Sequence, residues 1–209
     1  TTPILGDYDF DSKITYNDLW DLVENWEMKN FNYELGPVYG EVPHFISIPD
    51  SKFDIEDGMA FVQIWSWYQK EYGQIVEDTV MIGKPLNIAQ LGNELSIFID
   101  DSIASGQIQF SNNHIDSRLR FSTKSYDGAM YLSHQNPEKG YSILEFARPK
   151  SMAKDTIHVT ADEESKLKIY YKFYGRDKKE IQRGHTSFKY STIPTTLDPV
   201  SYTHLTLPT

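Results

Sequence analysis

Asp7-Tyr8-Asp9-Phe10-Asp11-Ser12-Lys13-Ile14-Thr15-Tyr16-Asn17-Asp18 sets carboxylates at alternate positions and runs directly into an amphipathic segment. That spacing suits a loop wrapped round one calcium ion. Side-chain oxygens come from Asp7, Asp9 and Asp11 at loop positions 1, 3 and 5, and the backbone carbonyl of Lys13 from position 7. Thr15 stands at position 9, where a water can bridge, and Asp18 at position 12. Four carboxylates within twelve residues repel one another unless a cation sits among them. The bland alternative is a solvated acidic turn capping a helix, since Asp near a helix N-terminus is favourable in any case.

After Asp18, the residues Leu19, Leu22, Val23 and Trp26 recur at helical spacing, with Glu24 and Glu27 on the opposite face, which predicts a helix to about Asn30. A second copy stands 39 residues on. Asp50-Ser-Lys-Phe-Asp54-Ile-Glu-Asp57 aligns with Asp11 to Asp18, and Phe61, Val62 and Trp65 align with Leu22, Val23 and Trp26. Agreement at one fixed offset argues for an internal duplication. The second loop lacks ligands at positions 1 and 3, which are Ile46 and Ile48. Asp50, Asp54 and Asp57 remain, so a second calcium there must recruit Glu34 or Glu41 from the intervening loop; otherwise that loop is purely structural.

Charge is divided unevenly. Residues 1–80 hold 16 of the 30 acids and 4 of the 20 bases, a net of −12, while the remainder nets +2. A block this acidic repels phosphates, so nucleic acid is excluded as a partner, whereas divalent cations are favoured. The absence of cysteine removes disulfides and thiolate metal sites. No apolar run approaches the ~20 residues that span a bilayer, so no membrane span is expected. The chain begins at Thr1 without Met and shows no secretory signal, which leaves room for an upstream part.

From about Leu86 the period changes. Leu95–Ile99, Gln107–Phe110, Leu119–Phe121, Tyr141–Phe146, Ile157–Val159 and Lys166–Phe173 alternate in polarity between Gly, Asn, Asp and Ser clusters. Strands of this length without long helices between them predict an antiparallel sandwich. The expected fold class is therefore α+β in two domains: a small all-α duplicated loop–helix calcium module over 1–75, then an antiparallel β-sandwich over 84–193. The junction is placed near Glu71–Lys84. The last residues, 199–209, break the strand pattern and look like a non-native read-through tail.

On Asp7, Asp9, Asp11, Asp18, the helix from Leu19 to Trp26 and the partial copy from Asp50 to Trp65, the first half resembles dockerins, modules of paired EF-hand-type loops each followed by one helix. The second half resembles, at the level of pattern, a cohesin-like or related carbohydrate-binding sandwich. Carrying it are a Gly92-Asn-Glu-Leu95 approach to the first strand, strands at Gly106–Phe110 and Lys166–Phe173, and a polar turn at Arg176–Glu180. The resemblance implies a calcium-binding, extracellular or cell-surface part of a larger exported bacterial protein, with a protein partner or docking in cis on the sandwich. Two departures stand out. Loop position 6 is Ser12 or Ser51 where such loops favour Gly. Positions 10 and 11 are Tyr16-Asn17 and Ile55-Glu56, not the small hydroxyl pair of cellulosomal dockerins.

Catalytic signals are weak. The six histidines include no i, i+4 pair, and no phosphate-binding Gly loop or Gly-x-Ser-x-Gly elbow is present. Asp100-Asp101 and Glu163-Glu164 read as turn solvation. Trp26 and Trp65 read as core, while Trp20 and Trp67 lie off that stripe and suit an interface. Tyr126, Tyr131, Tyr141, Tyr170, Tyr171 and Tyr174 suit strand packing, or alternatively a glycan-binding face. The function expected is a non-catalytic, calcium-stabilised adhesion or assembly module; the alternative is an accessory glycan-binding part of a polysaccharide-degrading enzyme.

Overall fold

Thr15 and Asp54 open two helices in the same way. In the computed structural model, which describes residues 4–75, 80–91, 94–112, 119–123, 128–150, 153–161 and 165–190, helix α1 spans Tyr16–Met28 and α2 spans Ile55–Tyr72. Both begin with a capping box. Thr15 or Asp54 accepts from the first-turn backbone, and Asp18 or Asp57 three residues on accepts from the cap's own N–H. α1 stops at Lys29, whose φ of 53° places it in the left-handed region and lets its N–H reach the carbonyls of Asn25 and Trp26. Between the helices lie a 3-10 turn at Phe31–Tyr33 and a short hairpin of β1 (Val38–Tyr39) and β2 (Ile46–Ser47).

Nine further strands follow: β3 (Asn87–Leu91), β4 (Glu94–Ile99), β5 (Ser105–Asn112), β6 (Leu119–Ser122), β7 (Met130–Asn136), β8 (Tyr141–Ala147), β9 (Asp155–Ala161), β10 (Ser165–Tyr174) and β11 (Glu180–Tyr190). They form an antiparallel five-stranded sheet in the order β11-β10-β5-β8-β7 and a four-stranded sheet in the order β3-β4-β9-β6. Leu95, Ile97, Ile157 and Val159 of one sheet share a core with Ile108, Phe110, Phe146, Leu167, Ile169 and Phe173 of the other. The expected sandwich is present, and all six expected strands fall within β4, β5, β6, β8, β9 and β10.

The expected two-domain class is wrong. The protein is mostly β, with three sheets against two α-helices among the described residues. The first 75 residues are not all-α, since they carry β1 and β2. Nor do the helices close a core of their own. Leu19, Trp20, Leu22, Val23, Phe61, Ile64 and Trp65 pack with Leu132, Tyr141, Ile143 and Ala147 on the outer face of the five-stranded sheet. β8 is consequently buried at every position. A paired-helix unit leaves an apolar face, and burying each large side chain on the sheet contributes roughly 1.5–3 kcal/mol.

The contact is also pinned at its edges. Tyr16 stacks on Tyr174 at 4.8 Å, with their hydroxyls 2.6 Å apart. Lys178 pairs with Asp21, and Lys150 with Glu27. Lys139 Nζ donates to the carbonyls of Lys70, Glu71 and Gly73 at the end of α2, where the helix dipole is negative. Trp20, expected at an interface, is buried beneath this contact, and Trp65 is core as expected. Trp26 is not: it is half-buried, lying over Gly58 and stacked on Phe53.

Candidate metal site

Ser12 turns the first loop through a φ of 67°, and Ser51 turns the second through 63°. This is the left-handed bend for which calcium loops ordinarily recruit Gly; serine adopts it at both places. The bend aims consecutive backbone N–H groups inward. In the first loop, the Asp7 carboxylate accepts from Asp11 N at 3.1 Å and Ser12 N at 3.0 Å. Asp9 accepts from Asp11 N at 3.2 Å, and Asp11 accepts from Lys13 N at 2.8 Å. Asp7, Asp9 and Asp11 each bring a carboxylate oxygen into one group within 4.8 Å, with Asp7 buried and the other two exposed.

The remaining expected ligands are occupied otherwise. Asp18 accepts from Tyr8 N at 2.8 Å and Thr15 N at 2.9 Å, so both its oxygens tie the loop to the helix start. The Thr15 hydroxyl caps α1 through Asn17 N. The Lys13 and Asp11 side chains are exposed. Burial, partly offset by the two backbone donors and reinforced by the charges of Asp9 and Asp7, pushes Asp18 up to about 7. Asp9 is also raised, by its partial burial and the charges of Asp11 and Asp7, against the hydrogen bond from Asp11 N.

The second loop repeats this wiring with a different first residue. The Glu34 carboxylate accepts from Asp50 N and Ser51 N, the counterparts of Asp11 N and Ser12 N. Asp57 accepts from Leu35 N and Gly36 N, both at 2.8 Å, and from Asp54 N at 2.9 Å, as Asp18 does from Tyr8 and Thr15. Glu34 therefore stands where Asp7 stands. The hairpin β1–β2 occupies the extra chain between position 1 and position 5, which explains why Ile46 and Ile48 fell on ligand positions in an ungapped reading. Glu34 was named as a recruit from sequence; Glu41 makes no comparable contact with the loop among the described residues. Asp50 pairs with Lys52 at 2.7 Å and Asp54 caps α2 through Glu56 N, so these carboxylates do not converge as the first three do.

The all-oxygen donor set and the left-handed turn fit a hard cation such as Ca²⁺, and both features belong to the first loop more fully than to the second. Two groups were not visible as site residues from sequence. Glu145, buried on β8, accepts from Trp65 Nε1 at 2.7 Å, and Arg148 is fully buried. Among the described tyrosines, Tyr141, Tyr170 and Tyr171 are buried and offer no exposed stacking face, while Tyr131 and Tyr174 are half-buried. Tyr141 and Tyr170 are buried on one face of the sheet, and Tyr171 points into the sandwich core. Tyr126 and Glu163-Glu164, like the tail 199–209, lie outside the described residues.

No family model matches the chain, and no curated protein does. Among solved structures, it is similar to a cohesin module from a Clostridium perfringens family 33 glycoside hydrolase. Identity is 14%, the match covers 54% of this chain and 98% of that module, and the TM-score is 0.36. It is also similar to a Nocardia farcinica protein of immunoglobulin-like fold, at 8% identity over 47% of this chain and 88% of that one, with a TM-score of 0.29. The sandwich itself rests on the two sheets and their shared core. No described helix is long and apolar enough to cross a membrane.

Proposed function

We propose that the chain is a non-catalytic assembly or adhesion module of a larger exported protein, working outside the cell and stabilised by calcium in the Asp7–Asp18 loop. The observation that carries this is the convergence of the Asp7, Asp9 and Asp11 carboxylates within 4.8 Å at the start of α1. Asp7, Asp9 and Asp11 would hold the ion, with the Lys13 carbonyl and water completing the oxygen set, while Asp18 and Thr15 fix the helix start beside it. The second loop, whose Glu34, Asp50, Asp54 and Asp57 carboxylates are engaged by backbone N–H groups or by Lys52, serves as a structural copy of the first. Bound calcium cancels carboxylate repulsion and fixes the loop from which α1 springs, so binding free energy becomes folding free energy. Through α1 it also braces the contact with the five-stranded sheet.

Calcium at about one hundred times its dissociation constant stabilises by about 2.7 kcal/mol. For a protein of this size, that raises the melting temperature by roughly 5–10 °C. Differential scanning fluorimetry in millimolar calcium against EGTA measures it, and Asp7→Asn with Asp11→Asn removes most of the rise. No shift, together with no calcium retained in equilibrium dialysis, refutes the proposal. Retention of the protein by insoluble cellulose, xylan or chitin would instead favour the glycan-binding role.

A further inference from the structure

The 39-residue offset relates two helix faces that have opposite fates. Tyr16, Trp20 and Val23 of α1 are buried, and all three face the sandwich or the core beneath it. Their counterparts on α2 are Ile55, Met59 and Val62, an apolar stripe at i, i+4 and i+7. Yet Ile55 is 73% exposed and Met59 50%, with Val62 half-buried. The duplicated unit thus carries one stripe sealed on a sheet and an equivalent stripe left open, bordered by the acidic Asp54 and Glu56.

The chain also carries exposed side chains of the opposite charge on β10 and β11. Residues 165–190 hold eight Lys and Arg against two acids, a net of +6; Lys172, Lys178, Lys179 and Arg183 pair with acids of the chain, which leaves Lys166, Lys168 and Lys189 to set the charge of the strand face. Leu167, Ile169 and Phe173 of β10 face the sandwich core, so Lys166, Lys168 and Tyr170 lie on the other face. That is the face on which Tyr174 receives α1. Lys166 stands directly opposite Lys189, Lys168 opposite Ser187 and Tyr170 opposite His185. Lys166, Lys168, His185 and Lys189 are exposed. Like charges placed directly across a ladder destabilise a sheet, and Lys166, Lys168 and Lys189 make no ion pair with the described residues. The contact within the chain already follows one chemistry, with acids on the helices (Asp21, Glu27) and bases on the sandwich (Lys178, Lys150).

We infer that the open α2 face of one copy docks on the basic β10–β11 face of a second copy, a head-to-tail contact continuous with the sheet surface that already seats α1. It rests on reading the chain as an assembly module but not on calcium occupancy. The interface is heterologous, so it adds copies in one direction rather than closing a symmetric pair. Opposite charges meet across it and draw the copies together, while Ile55 and Met59 leave water.

Sedimentation velocity on the whole chain reads this directly. At low salt the weight-average mass rises with concentration from the 24.2 kDa monomer toward twice that value and beyond. At high salt, where the Debye length falls to about 3 Å, it returns toward the monomer. Met59→Arg on the helix face, and Lys168→Glu with Lys189→Glu on the sheet face, each hold the protein monomeric; all are exposed positions that leave the fold intact. An equimolar mixture of the two variants keeps one good helix face and one good sheet face, and forms a dimer that grows no further. Wild type monomeric at every concentration, association undiminished in either variant, or a mixture that stays monomeric would each overturn the inference. The calcium-induced melting shift is read separately, so failure here leaves the calcium proposal standing and failure there leaves this one.

Discussion

Arg148→Met is expected to lose roughly 2–4 kcal/mol of stability, although the position lies far from the acidic loops. The Arg148 side chain is fully buried at the end of β8. Its Nε donates to the Ile103 carbonyl and its Nη1 to the Ala153 carbonyl, both at 2.8 Å, and its Nη2 donates to the Asp100 carbonyl. The backbone N–H of Arg148 meets the Ala104 carbonyl at 2.8 Å. One guanidinium therefore gathers the bend between β4 and β5 and the approach to β9, joining the four-stranded sheet to the ends of β5 and β8 in the other. Methionine fills similar volume but removes all three donors, leaving the buried Ile103 carbonyl without the guanidinium and the Ala153 carbonyl to water, while Asp100 keeps only the N–H of Ile103; an unmet buried acceptor costs more than the bond was worth. Lysine retains the charge but not the planar fork, so Arg148→Lys falls between the two. Urea denaturation followed by tryptophan fluorescence measures this. A Met variant within 1 kcal/mol of wild type would mean that other contacts hold these segments.

The sandwich was legible because alternation survives wherever one face of a strand meets the core, as in Leu95–Ile99 and Lys166–Phe173. The two-domain expectation failed at β8. Tyr141, Ile143 and Ala147 are apolar on the side away from the sandwich core, so the stretch is apolar on both faces, the signature of a strand covered twice. That signal is present in the sequence, but Ser142 and Glu145 give the stretch the look of simple alternation. Trp20 misled in the same way: judged against a helix pair alone it lies off the stripe, but judged against a pair plus a sheet it lies on it. Of the candidate site, the duplication and the three leading carboxylates were readable from spacing. The role of Glu34 was reachable only as one candidate among two, because an inserted hairpin hides it from a fixed offset. Asp18 and Asp57 show why spacing alone overcounts ligands. A carboxylate three residues after an N-cap serves the helix start equally well, and both residues do so. Arg148 left no trace, since its acceptors are backbone carbonyls that any residue supplies.

Glu145→Gln is expected to stabilise the calcium-free protein at pH 8 and to leave it unchanged near pH 4. Glu145 lies between β8 and the helix pair with 1% of its surface exposed. Burial pushes its carboxyl up to about 8, against the hydrogen bond from Trp65 and with a smaller contribution from the charge of Asp18. In the unfolded chain the same group titrates near 4.3. Between those values the folded state holds a proton that the unfolded state has released, so stability falls as pH rises from about 4.3 to about 8 and is level above. The loss amounts to roughly 3–5 kcal/mol if the whole shift is expressed. Glutamine keeps an acceptor for Trp65 Nε1 and never ionises, so the variant escapes that loss. Asp18, raised to about 7, adds a slope of the same sign that the variant keeps and that calcium is expected to remove. His134, edge-on to Trp65 at 6.2 Å, is lowered by burial and then by Lys139, and works in the opposite sense. Its contribution is present above its unfolded value near 6.5 and is lost as pH falls through the folded value. Melting curves in EGTA from pH 4 to pH 9 separate these effects, because the wild-type minus Gln difference should open only above pH 4.3 and saturate near 8. A difference that is the same at every pH would show Glu145 ionised throughout, with water or an unmatched donor reaching it beneath the helices.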